Sequence, residues 1–295
     1  MTAYDFETLD VFTDKKFAGN PLAVITDARG LSLEQMQTIT REFNLAESTF
    51  VLPPENPGNT ARVRIFTPGY EMPFAGHPTV GTAIAIARAR SLTGELRLEL
   101  NSGVFPVTVE LTEGGGYAEF VNPNLPKENG PASTPEAIAA AVSLPLSAID
   151  QGDHKPRRCG AGVDFIYAHV PMDALKAAKV NSAAWDGLAV EEIVGVYLYA
   201  EGGEAADATW HVRMFAPGAG IVEDPATGGA AAGFPAQIIR SQKIPDGEHR
   251  WVIEQGFEMG RPSRIIATVG VKSGAVTSVR IGGNAVFMQK GQLFV

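Results

Sequence analysis

RIFTPGYEMPFAGHPTVGTA, residues 64–83, and RMFAPGAGIVEDPATGGA, residues 213–230, are two forms of one sentence. Each opens Arg-x-Phe-x-Pro-Gly. Each arrives at a polar residue followed by proline, then a glycine four positions after that polar residue and an alanine two further on. His77-Pro78 leads to Gly81 and Ala83; Asp224-Pro225 leads to Gly228 and Ala230. The offset (224 minus 77, or 147) is about half of the 295-residue chain. A repeat on this period predicts two similar half-chains, each presenting one polar group where a helix begins. Two such halves, face to face, would bring His77 and Asp224 together across a cleft.

Working outward, Pro78 and Pro225 suit the first position of a helix, where a missing N–H goes unnoticed. Helices are therefore expected to start there, with His77 and Asp224 at the N-caps. The run Ala83-Ile84-Ala85-Ile86-Ala87 is apolar on every side and predicts a buried helix. The counterpart runs through Ala230–Ala232, and Pro235 is expected to end or kink it. Ser32-Leu33-Glu34-Gln35 is a capping box, followed by apolar residues at 33, 36, 39 and 43. A short helix is expected over Pro135–Val142, capped by Thr134.

Around these helices lie short β-branched and aromatic runs, divided by Gly, Pro and Asn. In the first half they predict strands over Tyr4–Phe12, Ala23–Thr26, Thr49–Leu52, Ala61–Phe66, Glu95–Leu100, Phe105–Leu111 and Tyr117–Phe120. In the second half the runs are Asp164–His169, Ile193–Leu198, Trp210–Phe215, Trp251–Gln255, Arg264–Val271 and Thr277–Gly282. The expected class is α+β, with many strands around one buried helix in each half. The Pro/Asn-rich stretch 121–134 reads as the linker. It divides an N-terminal lobe, 1–120, from a C-terminal lobe, 121–283. The last strand, about 284–295, is expected to return to the first lobe only because final strands of two-lobed chains often do; nothing in the sequence itself marks it. Residues 157–162 read as a structural turn before a strand.

Bulk composition narrows the function. Hydrophobic residues make up 45% and charged residues 19%, as in soluble globular proteins. A net charge of −9 without a dense basic run argues against nucleic acid and anionic membranes as partners. No secretory signal and no apolar stretch of spanning length is visible. The single cysteine, Cys159, leaves no internal disulfide, and together these features predict a cytoplasmic protein. No Cys/His cluster has metal-ligand spacing, and no dinucleotide, Walker A or serine-elbow motif is present, so neither metal nor cofactor is expected.

Three side chains stand out as chemistry. Histidine is not a favoured N-cap, so His77 suggests a task beyond capping, against the alternative of a histidine merely lining an interface. Asp224 would be explained by capping alone; the repeat is what sets it beside His77. Glu47, in Asn44-Leu45-Ala46-Glu47-Ser48-Thr49-Phe50-Val51-Leu52, falls between a helix and an apolar strand. It is either a solvated loop residue or a partly buried carboxyl with a raised pKa, able to give and take protons near neutrality. Gly76, Gly228 and Gly229 keep side chains away from the two helix starts, where bare N–H groups attract carboxylates. Small residues that let a buried helix pack closely would leave the same pattern.

Four segments in order resemble the PhzF family of phenazine-biosynthesis-like isomerases: Asp10-Val11-Phe12-Thr13 through Phe17-Ala18-Gly19-Asn20-Pro21, then Asn44–Leu52, then Gly76-His77-Pro78-Thr79, then Glu223-Asp224-Pro225-Ala226-Thr227-Gly228. The resemblance implies the diaminopimelate-epimerase-like fold: two lobes, each a barrel-like, mostly antiparallel sheet around a central helix. It implies cofactor-independent proton transfer on a small carboxylic acid, and a homodimer. By motif position it makes Glu47 the acid/base, with His77 and Asp224 assisting. It assigns Asn20, Gly76, Gly228 and Gly229 to the substrate. The family commonly carries Ser where this chain has Gly229. Relatives that racemise through two thiols are excluded as a guide by the single cysteine. Two other readings stay open: a non-catalytic small-acid-binding protein of the same fold, and a lyase or dehydratase using the same base.

Overall fold

The computed structural model describes residues 2–190 and 192–295. The chain divides into two compact units, Met1–Pro123 with Ile281–Val295, and Asn124–Arg280.

The first unit contains β1 (Ala3–Val11), β2 (Asn20–Ile25), α1 (Leu33–Phe43), β3 (Glu47–Leu52), β4 (Ala61–Phe66), β5 (Glu71–Met72), α2 (Gly76–Arg90), β6 (Gly94–Leu100), β7 (Gly103–Thr112) and β8 (Gly115–Val121). Its sheet runs β1–β2–β3–β4–β6–β7–β8. The end of the chain's last strand, Ala275–Phe294, closes it by pairing with both β8 and β1, with Ala3 opposite Phe294. The result is an eight-stranded barrel. Antiparallel pairs dominate, and β2–β3 and β4–β6 are parallel.

Helix α2 fills this barrel, buried from Gly76 to Ala87. Small residues make the fit possible. A side chain at Gly81 would meet Leu22 Cδ2 at 2.6 Å and Val11 Cγ2 at 2.7 Å. Helix α1 instead covers the outside, laying Met36 and Ile39 on Ile25, Phe50 and Phe66. Its capping box is formed by Ser32 and Gln35 in both directions. Asn44, in left-handed conformation, ends α1 and turns the chain into β3.

The second unit contains β9 (Lys127–Glu128), α3 (Pro135–Ala141), β10 (Arg157–Gly160), β11 (Asp164–His169), α4 (Met172–Ala177), α5 (Ser182–Trp185), β12 (Ile193–Glu201), β13 (Trp210–Ala216), β14 (Ile221–Asp224), α6 (Gly228–Ser241), β15 (Gly247–Gln255) and β16 (Ser263–Lys272). Its order repeats that of the first unit. Strand β11 is parallel to β12, β12 antiparallel to β13, and β13 parallel to β15, as β2, β3, β4 and β6 are related. Helix α6 takes the place of α2, buried from Gly228 to Ile238. A side chain at Gly233 would collide with the Tyr167 hydroxyl and crowd the Gly160 backbone.

The repeat extends to polar contacts. Arg64 grips Glu71 with two hydrogen bonds, 2.8 and 2.6 Å, and Arg213 grips Glu223 with two of 2.8 Å. Such bidentate pairs fix geometry as well as charge. Glu99 accepts the backbone N–H groups of Glu55 and Asn56; Glu254 accepts those of Glu204 and Ala205. Each carboxylate fastens the loop leading into the strand that carries the arginine.

Several local expectations are corrected. Helix α2 starts at Gly76 with Ala75 as its N-cap, so His77 lies inside the first turn and Pro78 follows it. Asp224 closes a strand, and α6 starts four residues later behind Thr227. Proline fits anywhere in the first turn, where Pro78 stands, because none of those N–H groups has an intrahelical partner, and equally in the residues before the cap, where Pro225 stands, so it marks a helix start without fixing it. Pro235 neither ends α6 nor stops it short of Ser241. Residues 157–160 are a strand rather than a turn, paired with β9 inside the expected linker. The short helices α4 and α5 lack side-chain N-caps, which left them without a signal in sequence.

Candidate active site

In the first unit, three motifs meet around the start of α2. The loop after β1 is pinned where the Asp10 carboxylate accepts the Phe17 N–H at 2.7 Å. Gly19, at φ 65°, passes so close to the Val11 carbonyl that a side chain has no room. The loop thus delivers Asn20 as the first residue of β2, opposite Val11. Asn20 Nδ2 donates to His77 Nδ1 at 3.1 Å. The accepting nitrogen carries no proton, so in the neutral ring the proton sits on Nε2.

That proton faces Glu47. His77 Nε2 lies 3.4 Å from Glu47 Oε2, with the two residues 3% and 7% exposed. Glu47 is the first residue of β3, paired with Leu22, rather than part of a solvated loop. The Thr49 and Thr82 hydroxyls bond at 2.8 Å and tie β3 to α2, setting the height of Glu47 against His77. Burial pushes the His77 pKa down to about 3. The ring is therefore neutral, and the contact is a neutral donor facing a buried carboxyl, longer than a hydrogen bond, rather than an ion pair.

In the second unit, Asp224 is 5% exposed. Its Oδ2 accepts the Thr227 hydroxyl at 2.6 Å. Gln255, fully buried, holds this pair in place. Its Nε2 donates to the Asp224 carbonyl at 2.7 Å and to Thr227 Oγ1 at 2.8 Å, while its Oε1 accepts the Thr227 N–H at 3.0 Å. Thr227 is the N-cap of α6, yet its hydroxyl turns to Asp224 instead of capping. Neither α2 nor α6 has a side-chain cap, nor an acidic residue in its first turn. The positive end of each helix is left to backbone N–H groups, those of Gly76 in one unit and of Gly228 and Gly229 in the other. A side chain at Gly229 would make ordinary contacts of 3.7 Å and more with Val163 and Phe165, so the position has space for one.

The first unit thus gathers Asn20, Glu47, Gly76 and His77; the second gathers Asp224, Gly228 and Gly229. Thr227 and Gln255 were not singled out in sequence. Thr227 lies within a quoted motif, whereas Gln255 is 31 residues from Asp224 and carries no local mark. Cys159, on β10, is buried, and burial with nearby carboxylates raises its thiol to about 12. It is no proton carrier at neutral pH. Among the described residues, no helix is long and apolar enough to cross a membrane.

The model of the family described as phenazine biosynthesis-like protein matches residues 9–291. An uncharacterized isomerase of Mesorhizobium japonicum is 43% identical, with 100% of both chains covered. The trans-2,3-dihydro-3-hydroxyanthranilate isomerase of Pseudomonas aeruginosa is 36% identical over 98% of this chain and 99% of its own. The crystal structure of the Bacillus anthracis phenazine biosynthesis protein of the PhzF family superposes with a TM-score of 0.89 at 28% identity, covering 100% of each chain.

Proposed function

From the premise that this chain belongs to the phenazine biosynthesis-like (PhzF) family and is an isomerase, we propose that it moves a proton between carbons of a small carboxylic acid, with Glu47 as the acid and base. The observation that carries this reading is the buried Glu47 beside a neutral His77 whose ring proton is turned toward it. A carboxylate shielded from water is a stronger base toward a C–H bond than a solvated one, and its protonated form a competent acid.

In the first step the Glu47 carboxylate takes the proton, and the electron pair left on carbon spreads toward the substrate carboxylate. The Gly76 N–H in the first lobe, and those of Gly228 and Gly229 in the second, are the donors we assign to that carboxylate. They blunt the charge as it builds. In the second step the Glu47 proton returns to a different carbon, giving an isomer of unchanged mass. The His77 Nε2–H faces the Glu47 carboxyl at 3.4 Å, near enough to donate once that carboxyl moves toward it, and Asn20 holds the tautomer. Asp224, kept in place by Thr227 and Gln255, is assigned to the polar groups of the substrate. The family resemblance adds the expectation of a homodimer, which sedimentation of the purified protein would check.

The test is proton exchange in D2O. Small amino, hydroxy and dihydroaromatic acids would be followed by NMR with the native protein and with Glu47→Gln. Deuterium should enter one compound, and the variant should lose roughly 10²- to 10⁴-fold of that rate. Its melting temperature should be unchanged. Full exchange in the variant removes Glu47 from its role. A product lighter by one water assigns the chain to elimination instead, and tight binding of an acid without exchange leaves a binding protein.

A further inference from the structure

Strand register places one more side chain on the same sheet face as Glu47. Ser48 pairs with Phe66, and Phe66 pairs with Glu71. One step further the ladder continues, since the Thr67 N–H donates to the Tyr70 carbonyl at 2.9 Å. Glu47, Thr67 and Tyr70 therefore form the next cross-strand row. Residues in one row project from the same face of a sheet. The row two positions away, Thr49–Ile65–Met72, gives that face its direction, because Thr49 touches Thr82 of α2. Tyr70 thus shares with Glu47 the face turned toward the start of α2, about two strand spacings away, roughly 10 Å between backbones.

The backbone beneath Tyr70 is held firmly. The Thr67 hydroxyl accepts the N–H groups of Gly69 and Tyr70 and donates to the Tyr70 carbonyl. Gln37 of α1 donates to the Thr67 and Pro68 carbonyls from the other side. The ring itself is 46% exposed. Among the described residues it stacks on no aromatic ring, and its hydroxyl makes no hydrogen bond. In the second copy of the repeat the matching residue is Ala219, so the turn motif does not require an aromatic ring. Burial, and after it the charge of Glu47, raises the Tyr70 phenol above its ordinary value, which agrees with this proximity.

Resting on the assignment of Glu47 above, we propose that Tyr70 is a specificity-determining residue whose ring packs against the flat apolar face of the bound acid. An aromatic on a firmly held backbone, left half in water, supplies a large contact area and has only two side-chain torsions to lose on binding. It selects acids that present a planar face and leaves extended acids unaided.

Calorimetry with benzoate and glutarate tests this without relying on turnover. Tyr70→Ala should weaken benzoate about fivefold to tenfold, and Tyr70→Phe should stay within about twofold of native. Glutarate should be unaffected in both. Equal benzoate affinity in Tyr70→Ala, equal weakening of both acids, or no benzoate binding to the native protein each overturns the proposal. Exchange measurements separate the two claims. If exchange is absent from every acid while benzoate still distinguishes the Tyr70 variants, the Glu47 mechanism fails and Tyr70 stands. If exchange depends on Glu47 but KM is indifferent to Tyr70→Ala, the reverse holds.

Discussion

His77 is a neutral ring at neutral pH, and this has a measurable sign. Its folded pKa of about 3 lies below the ordinary 6.5, because burial disfavours the cation. Above about pH 6.5 the ring is neutral in both states and adds nothing to pH dependence. Below it the unfolded chain takes up a proton that the folded chain refuses until about pH 3, so stability is lost as pH falls, by about 1.4 kcal/mol per unit for this one group. Urea unfolding of the native protein and His77→Asn, from about pH 6 to about pH 4, should give a native slope steeper by that amount. Parallel slopes would mean that the ring is protonated in the fold. Of the residues proposed for the site, His77 and Asp224 were marked in the sequence by the repeat, whereas Glu47 was marked only as a carboxylate between a helix and an apolar strand, its role coming from the family resemblance. Gln255 was not legible. A glutamine ending a strand looks ordinary until the fold brings it onto Asp224.

At the scale of elements, the two central helices show what composition reveals and what it hides. Their burial was legible, since Ala83–Ala87 and Ala230–Ala232 offer no polar face. Their starting residues were not, since proline is tolerated both within a first turn, as Pro78 is, and ahead of the cap, as Pro225 is, and both helices begin behind residues whose side chains do not cap them. The glycines of α6 differ sharply among themselves. Gly233 lies against Tyr167 and the Gly160 backbone, whereas Gly229 has space around its α-carbon. Gly229→Ser should fold with a melting temperature within about 2 °C of native. Gly233→Ser should be destabilised by about 1–3 kcal/mol or fail to accumulate, because the helix has nowhere to move. Thermal melts of the two variants side by side decide the matter, and equal melting temperatures would refute the packing described for α6.

At the scale of the whole molecule, the repeat was legible in one stretch per half, yet it governs strand order, the Arg64–Glu71 and Arg213–Glu223 clasps and the Glu99 and Glu254 loop anchors. Most of this is long-range pairing, which no local pattern of residues encodes. The first barrel is sealed by the last strand of the chain, where Phe294 lies opposite Ala3. A nascent polypeptide emerging from the ribosome therefore holds the first lobe unfinished, its β1 and β8 edges bare, while residues 124–280 are made. The second lobe is a single contiguous segment, Asn124–Arg280, and has no such wait. Removing residues 284–295 should thus spare the second lobe, which would survive limited proteolysis as a fragment, and leave the first lobe digestible and prone to associate through its open edges. A truncated chain whose first lobe resists protease as well as the native one would show that the seal is dispensable. Synthesis imposes an order here: the part of the molecule carrying Glu47 and His77 is translated first and completed last.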